Sequence, residues 1–206
     1  MLAAGMSTRM GRPKATLPLG GETFVGRIVK TFRAAGVEEV VVVLGGGASN
    51  LEAALRDEGV DARLIVNPDF ERGQFSSVLA GLRAIDRPGV LAMLLTLVDV
   101  PLVAPSTVRR ILERYRATGA PVVRPVRGDQ HGHPVLIDRS LFSRLRSADP
   151  NVGAKAIVRA HCSETGDVPV DDEGAFLDID TPEDYARVLT DRQAGEPSPE
   201  PPSEKR

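Results

Sequence analysis

Two uninterrupted apolar runs constrain the fold of this chain more than any other feature. Residues 40–44 are β-branched almost throughout and are followed by Gly45, and residues 91–98 form the most apolar stretch of the sequence. Runs without alternating polar residues are typical of strands that are buried on both faces. Because such strands need helices on both sides, the two runs predict an α/β fold.

Helical patterns separate these strands. Residues 22–35 carry apolar side chains at helical spacing and are followed by Gly36, and residues 105–118 begin with a proline and precede Gly119. The other predicted strands are 62–66, 121–126, 134–137 and 167–170, and the other helices are 50–57, 76–85, 140–146, 152–161 and one from Pro182. The alternation predicts a mostly parallel sheet that is covered by helices on both faces and whose ligand sites follow the strand ends.

Composition narrows the function classes. The 206 residues, 42% of them hydrophobic, suffice for one domain, which we assign to residues 1–191, with a disordered tail at 192–206 that is rich in Pro, Ser and charge. A net charge of −2 argues against a nucleic-acid partner. No apolar run approaches the roughly 20 residues that cross a bilayer. The single cysteine excludes an intrachain disulfide and favours a cytoplasmic location.

The segment Leu2 to Lys14, LAAGMSTRMGRPK, is the first candidate site. Gly5 and Gly11 let backbone amides approach a ligand, and Arg9 and Lys14 add cationic donors, which together suit a phosphate group. The segment matches neither the P-loop nor the dinucleotide-binding glycine pattern. The alternative is a glycine-rich surface turn with solvated charges.

Carboxylates supply the second candidate site. Asp99 follows the apolar run 91–98, where its side chain would face the ligand crevice or cap a turn. Asp178 and Asp180 alternate along an extended segment and therefore share one side of it. Magnesium prefers one or two carboxylates together with substrate phosphates. Thr181 and Pro182 are instead expected to begin the last helix.

Motifs along most of the chain resemble those of the nucleotidyltransferases related to the molybdenum cofactor cytidylyltransferases. The opening segment is similar to that family's LAAGxSxRMGxxK signature. Further similar motifs follow in the family's order, namely ERGQFSSVLAGL, VDVP, GHPVLI and LDIDTPEDY. VDVP diverges from the family's usual GDxP-like form. The resemblance implies an α/β, three-layer Rossmann-like nucleotidyltransferase fold with a mostly parallel (mixed) sheet. It also implies an enzyme that requires an NTP, Mg²⁺ and a phosphate-bearing acceptor.

The resemblance also implies roles for individual residues. Those implied in catalysis are Arg9, Lys14 and Asp99. Those implied in nucleotide binding are Leu2, Ala3, Ala4, Gly5, Arg9, Lys14, Gly73 and Ser77. Asp99 and Asp178 are implied as the metal ligands, with Asp180 as an alternative, and Gln74, Gly132 and His133 as contacts of the acceptor. Ser76 is instead expected to cap the helix that follows it.

The LAAG opening and GHPVLI resemble most closely the enzymes that join CMP from CTP to molybdopterin, with a molybdoenzyme or its chaperone as recipient. Guanylyl transfer, or nucleotidyl transfer to another phosphorylated metabolite, is the near alternative. An NAD(P)-linked oxidoreductase and a non-catalytic nucleotide-binding module are alternatives of other classes. The turn Gly45 to Gly47 does not support a dinucleotide site, because Asn50 stands where the third glycine belongs.

Relatives with this signature carry several apolar residues before LAAG, which form the central strand behind the loop. In this sequence Met1 precedes Leu2 directly. We therefore expect that the natural chain starts upstream of Met1; the alternative is that an incomplete strand supports the loop.

Overall fold

A computed structural model describes residues 1–5, 8–45 and 49–195 of the chain. Its strands are β1 (Leu2–Ala3), β2 (Pro18–Leu19), β3 (Glu22–Thr23), β4 (Val41–Leu44), β5 (Arg63–Val66), β6 (Ala92–Leu95), β7 (Val122–Arg127), β8 (Gln130–His131), β9 (Val135–Asp138) and β10 (Asp167–Pro169). Its helices are α1 (Phe24–Ala34), α2 (Ser49–Asp57), α3 (Gln74–Ile85), α4 (Pro105–Thr118), α5 (Phe142–Ser147), α6 (Gly153–His161) and α7 (Pro182–Gly195).

The central sheet is mixed and mostly parallel, as the sequence predicts. Strands β1, β4 and β5 pair in parallel, and the second group runs in the order β10, β7, β9, β6. A parallel bridge between Leu2 and Leu97, just beyond β6, joins the two groups. Strand β9 pairs antiparallel with both β6 and β7. The carboxyl ends of β1, β4 and β6 therefore meet at one edge of the sheet.

Helices cover both faces of this sheet. One apolar cluster joins it to α1, α2, α4 and α7, and a second joins it to α3, α5 and α6. In α1 the buried Phe24, Ile28 and Phe32 lie on one side of the helix, and the Thr23 hydroxyl accepts a hydrogen bond from the Gly26 amide to cap its start. Each fully buried side chain of this size contributes about 1.5–3 kcal/mol to folding.

Helix boundaries follow the local signals where those are strong. Helix α4 spans the predicted residues, and Gly119 ends it in the left-handed conformation at φ 64°. Helix α7 continues through Gly195 and so takes in the first part of the predicted tail. The rest of that tail, 196–206, lies outside the described residues. None of the helices in the described ranges is both long and apolar enough to span a membrane.

Short antiparallel pairs were not predicted from the sequence. Strands β2 and β3 form a hairpin in which Pro18 pairs with Thr23 and Leu19 with Glu22. The helix predicted from residue 22 therefore begins only at Phe24. Each of these strands has two residues, which is too short for a period-two pattern to be recognised.

Candidate functional site

A cavity of about 370 Å³ opens where the carboxyl ends of β1, β4 and β6 meet. Parallel sheets bind ligands at this edge. The residues that line the cavity come from the opening loop, from the start of α3, from the segment after β6 and from the segment before α7. They are Leu2, Ala4, Gly5, Arg9, Lys14, Phe70, Glu71, Gly73, Gln74, Ser77, Leu97, Val98, Asp99 and Asp180.

Backbone hydrogen bonds fix the opening loop beside the segment that carries Asp99. The Leu2 amide donates to the Thr96 carbonyl at 2.9 Å, and the Val98 amide donates to the Leu2 carbonyl at 3.0 Å. On the other side of β1, the Val43 amide donates to the Met1 carbonyl at 2.9 Å. Strand β1 is thus held between β4 and the chain beyond β6, and the loop leaves it directly into the cavity.

The Lys14 ammonium lies among carboxylates at the cavity wall. Its Nζ atom is 2.6 Å from Asp180 Oδ1 and 3.5 Å from Asp99 Oδ2. Only 10% of the Lys14 side chain is exposed, whereas the Arg9 side chain, whose guanidinium lies 3.2 Å from Asp180 Oδ2, is 70% exposed. Lys14 is therefore a preorganised cation, and Arg9 is a solvated one that can still reach the cavity.

Asp99 and Asp178 are neighbours, because the Ile179 amide donates to the Asp99 carbonyl at 2.8 Å. Partial burial raises the pKa of Asp178, and the nearby Asp99 carboxylate raises it further. Asp99 Oδ1 is buried and has no hydrogen-bond partner among the described residues. Two repelling carboxylates with an unsatisfied oxygen fit a bound cation.

The donor set suits a metal that shares its ligands with a substrate. Among the described residues there is no group of three or more His, Cys, Asp or Glu side chains able to hold a metal ion. Two carboxylates completed by phosphate oxygens and water are an ordinary arrangement for Mg²⁺. The predicted pair Asp99 and Asp178 fits that arrangement.

Asp180 has a larger part in the site than the sequence indicates. The hydrogen bond from Lys14 holds the pKa of Asp180 below its usual value, and the charges of Lys14 and Arg9 add to this effect. The sequence places Asp180 on the same side as Asp178 but gives no sign of its pairing with Lys14, because the two residues meet only in the folded chain.

Several residues predicted to bind the nucleotide come together in the cavity. Leu2, Ala4 and Gly5 line one wall, and Gly73 and Ser77 line another together with Gln74, which was expected to contact the acceptor. Ala3 packs instead against the apolar core behind the loop. Met6 and Ser7, within the predicted loop, lie outside the described residues.

The start of α3 differs from the prediction. Gly73, at φ 98°, precedes the helix, and no side chain caps it. Ser76 lies inside the helix, and its hydroxyl donates to the carbonyls of Asp69 and Gly73, both at 2.8 Å. The expected capping role of Ser76 is wrong, because the helix begins two residues earlier.

Three residues near the cavity were not predicted. Phe70 and Glu71 line it from the turn before α3, and Asn67 is completely buried behind them. An asparagine at the end of a strand and before a proline is the one signal that could have singled out Asn67.

The Phe70 ring also gives a steric reason for the glycine at position 45, because a Cβ atom at Gly45 would lie 2.9 Å from it. Gly46 and Gly47 of the same turn lie outside the described residues.

Gly132 has a structural reason to be glycine. Its amide donates to the Pro125 carbonyl at 3.0 Å, and a Cβ atom there would overlap the carbonyl oxygen of Ala175. It is buried and does not line the cavity, so the structure does not place it where an acceptor contact was expected.

His133 lies next to the carboxylates and not in the lining of the cavity. Its Nδ1 atom is 3.4 Å from the Leu95 carbonyl oxygen. Burial lowers the pKa of His133, while that carbonyl and the charges of Asp178 and Asp99 act in the opposite direction. His133 therefore lies within the electrostatic influence of the predicted metal pair.

The segment before α7 is fixed as predicted. The Asp184 amide donates to the Thr181 hydroxyl at 3.2 Å, and the Asp184 carboxylate accepts from the Thr181 amide at 3.1 Å. This reciprocal capping confirms the predicted start of the helix. It holds the extended residues Asp178 and Asp180 in place ahead of the helix.

Comparison with known proteins agrees with this geometry. Residues 1–165 match the family described as MobA-like NTP transferase domain. The nicotine blue oxidoreductase of Paenarthrobacter nicotinovorans is 34% identical over 92% of this chain and 94% of its own length. The molybdenum cofactor guanylyltransferase of Rhizobium meliloti is 32% identical over 91% of this chain and 88% of its own length.

A solved structure has the same fold. Rv0371c of Mycobacterium tuberculosis, crystallised in complex with manganese, superposes with a TM-score of 0.70 at 31% identity. The match covers 92% of this chain and 95% of that one.

Proposed function

The chain belongs to the MobA-like NTP transferase family and is a nucleotidyltransferase, and from this premise we propose that it transfers CMP from CTP to molybdopterin with release of pyrophosphate. The observation that carries the proposal is the Lys14 ammonium held between Asp99 and Asp180 at the wall of a cavity that the opening loop completes. The LAAG opening and GHPVLI favour CTP as the donor.

We assign the triphosphate to the opening loop. Lys14 and Arg9 both line the cavity and provide two cations there, and Ala4 and Gly5 bring the backbone of the loop to the cavity wall. These groups neutralise the charge that develops on the departing pyrophosphate. Because Lys14 is already held in place, little reorganisation is needed when the substrate arrives.

Asp99 and Asp178 are the residues that would hold the divalent cation, and Asp180, whose carboxylate contacts Lys14, is the alternative ligand. A divalent cation held by these carboxylates would supply Lewis-acid stabilisation of the charge on the phosphates. The manganese in Rv0371c supports a divalent ion in a protein of this fold. Gln74 and His133 remain the proposed contacts of the acceptor.

The bond changes need no strong base. An oxygen of the acceptor phosphate attacks the α-phosphorus, a new phosphorus–oxygen bond forms, and the bond to the bridging oxygen breaks to release pyrophosphate. A phosphate group is ionised near neutral pH, and so its oxygen needs no deprotonation. Catalysis by this chain is therefore alignment and charge stabilisation.

The proposed product is a small molecule that is delivered to another protein. We propose a cytoplasmic enzyme that delivers the modified cofactor to a molybdoenzyme or its chaperone. The acidic net charge of −2 is consistent with a partner other than nucleic acid.

Two relatives favour alternatives. The guanylyltransferase relative supports GTP as the donor, with the same loop and carboxylates. The name of the nicotine blue oxidoreductase supports a redox function, which would require a nicotinamide or flavin cofactor. A thermal shift with NADPH, and none with CTP and Mg²⁺, would favour that second candidate.

The test is a panel of the four NTPs, with Mg²⁺ and with or without molybdenum cofactor, followed by thermal shift and pyrophosphate release. We expect CTP to stabilise the protein and to give pyrophosphate only when the acceptor is present. Asp99→Ala serves as the control. Wild-type pyrophosphate release by that variant would exclude the proposed mechanism, and nucleotide binding without release would support a non-catalytic binding module.

A further inference from the structure

Asn67 is a completely buried polar side chain, and Ser77 lies between it and the cavity. It directly follows β5, where its amide donates to the Leu44 carbonyl at 2.7 Å. Its side-chain Nδ2 donates to Ser77 Oγ at 3.0 Å and to Ser76 Oγ at 2.8 Å. Ser77 lines the cavity and is only 2% exposed. Asn67 therefore stands directly behind a cavity wall.

The orientation of the Asn67 amide is fixed by a third hydrogen bond. The Asp69 backbone amide donates to Asn67 Oδ1 at 3.1 Å. Since a backbone N–H can only donate, the atom facing it must be the oxygen, and the NH₂ group must face the two serines. Ser76 and Ser77 therefore both accept from Asn67.

The two serine hydroxyls differ in the acceptors to which they can donate a hydrogen bond. Ser76 has acceptors in the Asp69 and Gly73 carbonyls. Ser77 donates to no acceptor among the described residues, although its oxygen already accepts from Asn67. A buried hydroxyl retains a strong tendency to donate. The remaining direction is the cavity.

We propose that Asn67 is a positioning residue that fixes the Ser77 hydroxyl as a hydrogen-bond donor to the nucleoside part of the substrate. The cavity then requires an acceptor atom on the base or ribose at this point. This inference rests on the proposed function in that the ligand is an NTP. It adds the direction of the hydrogen bond between Ser77 and the ligand. Asn67 sets this direction although it does not contact the ligand.

Asn67→Asp reverses that direction with almost no change in shape. An ionised carboxylate has no N–H, so both serine hydroxyls must donate to it, and Ser77 can then offer the ligand only lone pairs. At pH 8 we expect the KM for CTP to rise about tenfold, the effect of one hydrogen bond of about 1.4 kcal/mol, with kcat within about twofold of wild type. Ser77→Ala should give the same KM, and the double variant should be no worse than either single variant.

Ser76→Ala is the matched control, because the Ser76 hydrogen goes to protein carbonyls. We expect it to leave the KM unchanged. Equal KM values for wild type and Ser77→Ala, or additive effects of Asn67→Asp and Ser77→Ala, would overturn the proposal. If Asn67→Asp does not fold, the comparison of Ser77→Ala with Ser76→Ala still decides the Ser77 contact.

Failure of this inference is distinguishable from failure of the proposed function. A wild-type protein that shows no thermal shift with any NTP and Mg²⁺ contradicts the proposed function itself. A wild-type protein that binds CTP with the same affinity as Ser77→Ala contradicts only the role of Asn67 and Ser77.

Discussion

Asp178, at the cavity edge of the central sheet, and Asp138, at the far edge, have carboxyl pKa values that are shifted in opposite directions. At the edge with the cavity, burial and the neighbouring Asp99 raise the pKa of Asp178, and one Asp99 oxygen lacks a hydrogen-bond partner among the described residues. At the far edge, burial alone would raise the pKa of Asp138, but hydrogen bonds from Ser140 and Tyr115 hold it below its usual value.

The difference separates structure from function. A carboxylate whose oxygens are satisfied within the protein contributes to folding, and its removal costs stability. A carboxylate whose pKa is raised by burial and by a neighbouring carboxylate, as that of Asp178 is, costs stability and persists where a ligand requires it. Asp138 at the far edge therefore stabilises the fold. Asp178 at the cavity edge has an unfavourable electrostatic energy in the ligand-free protein, which a bound cation would relieve.

The largest expected effect follows the loss of the cation at the cavity edge. Lys14→Gln removes a buried ammonium that contacts both Asp99 and Asp180. We expect kcat for pyrophosphate release to fall roughly 10²–10³-fold, the cost of one lost preorganised group. A wild-type kcat in a variant with a normal far-ultraviolet circular dichroism spectrum would contradict the role of Lys14.

Asp178→Asn should separate activity from stability. Turnover should fall about 10²-fold, while the ligand-free protein becomes more stable. The raised pKa means that ionised Asp178 destabilises the fold above that pKa, and the neutral amide removes this cost. We expect a small rise in Tm, because Asp178 is exposed and solvent screens much of this cost. Calorimetry at pH 7 without divalent ions measures it, and a lower Tm would contradict the comparison.

At the far edge the same measurements should give the reverse pattern. Tyr115→Phe removes the hydroxyl that donates to Asp138 and, at 3.2 Å, to the Leu91 carbonyl. We expect a loss of about 1 kcal/mol in the free energy of unfolding, with kcat and KM unchanged. Urea denaturation and pyrophosphate release check the two parts, and a change in kcat would show that the edges are coupled.

The stability difference between wild type and Tyr115→Phe should also depend on pH in the alkaline range. Burial and the Asp138 contact raise the pKa of Tyr115 from 10.0 to about 12. A raised pKa favours the neutral phenol in the folded state, so this contribution is complete below 10.0 and is lost as the pH rises to about 12. Wild type should lose its stability advantage over Tyr115→Phe across this window.

The smallest effect is expected for Arg9→Gln. The Arg9 side chain is 70% exposed, so its contact with Asp180 is solvated and weak. We expect the KM for the nucleotide to rise only a few-fold, and the difference to shrink with added salt because exposed charges are screened. A kcat loss as large as that of Lys14→Gln would place Arg9 among the preorganised groups.

The sequence predicts the layers of this fold because their signals are local. Helix α4 carries its own start and stop in Pro105 and Gly119, and β4 is an unbroken apolar run. Most of the predicted site residues of the opening loop meet Asp99 at one cavity, because strand ends share an edge; they are Leu2, Ala4, Gly5, Arg9 and Lys14.

What the sequence does not indicate depends on contacts between distant segments. The Lys14–Asp180 pair joins residues that are 166 positions apart, and no spacing rule predicts it. The hydrogen bonds of Asn67 require the turn before α3 to fold back on the end of β5. Gly132 was predicted to contact a ligand because its steric reason lies in Ala175, which is also distant in the sequence.

That close approach at Gly132 also has a practical meaning for directed evolution. The strand leading to His133 and the segment leading to Asp178 touch backbone to backbone, since the His133 amide donates to the Ala175 carbonyl at 2.8 Å. No side chain at 132 can fit without moving both segments. A library intended to broaden the acceptor range should keep that glycine constant and vary Gln74, whose side chain is exposed at the cavity.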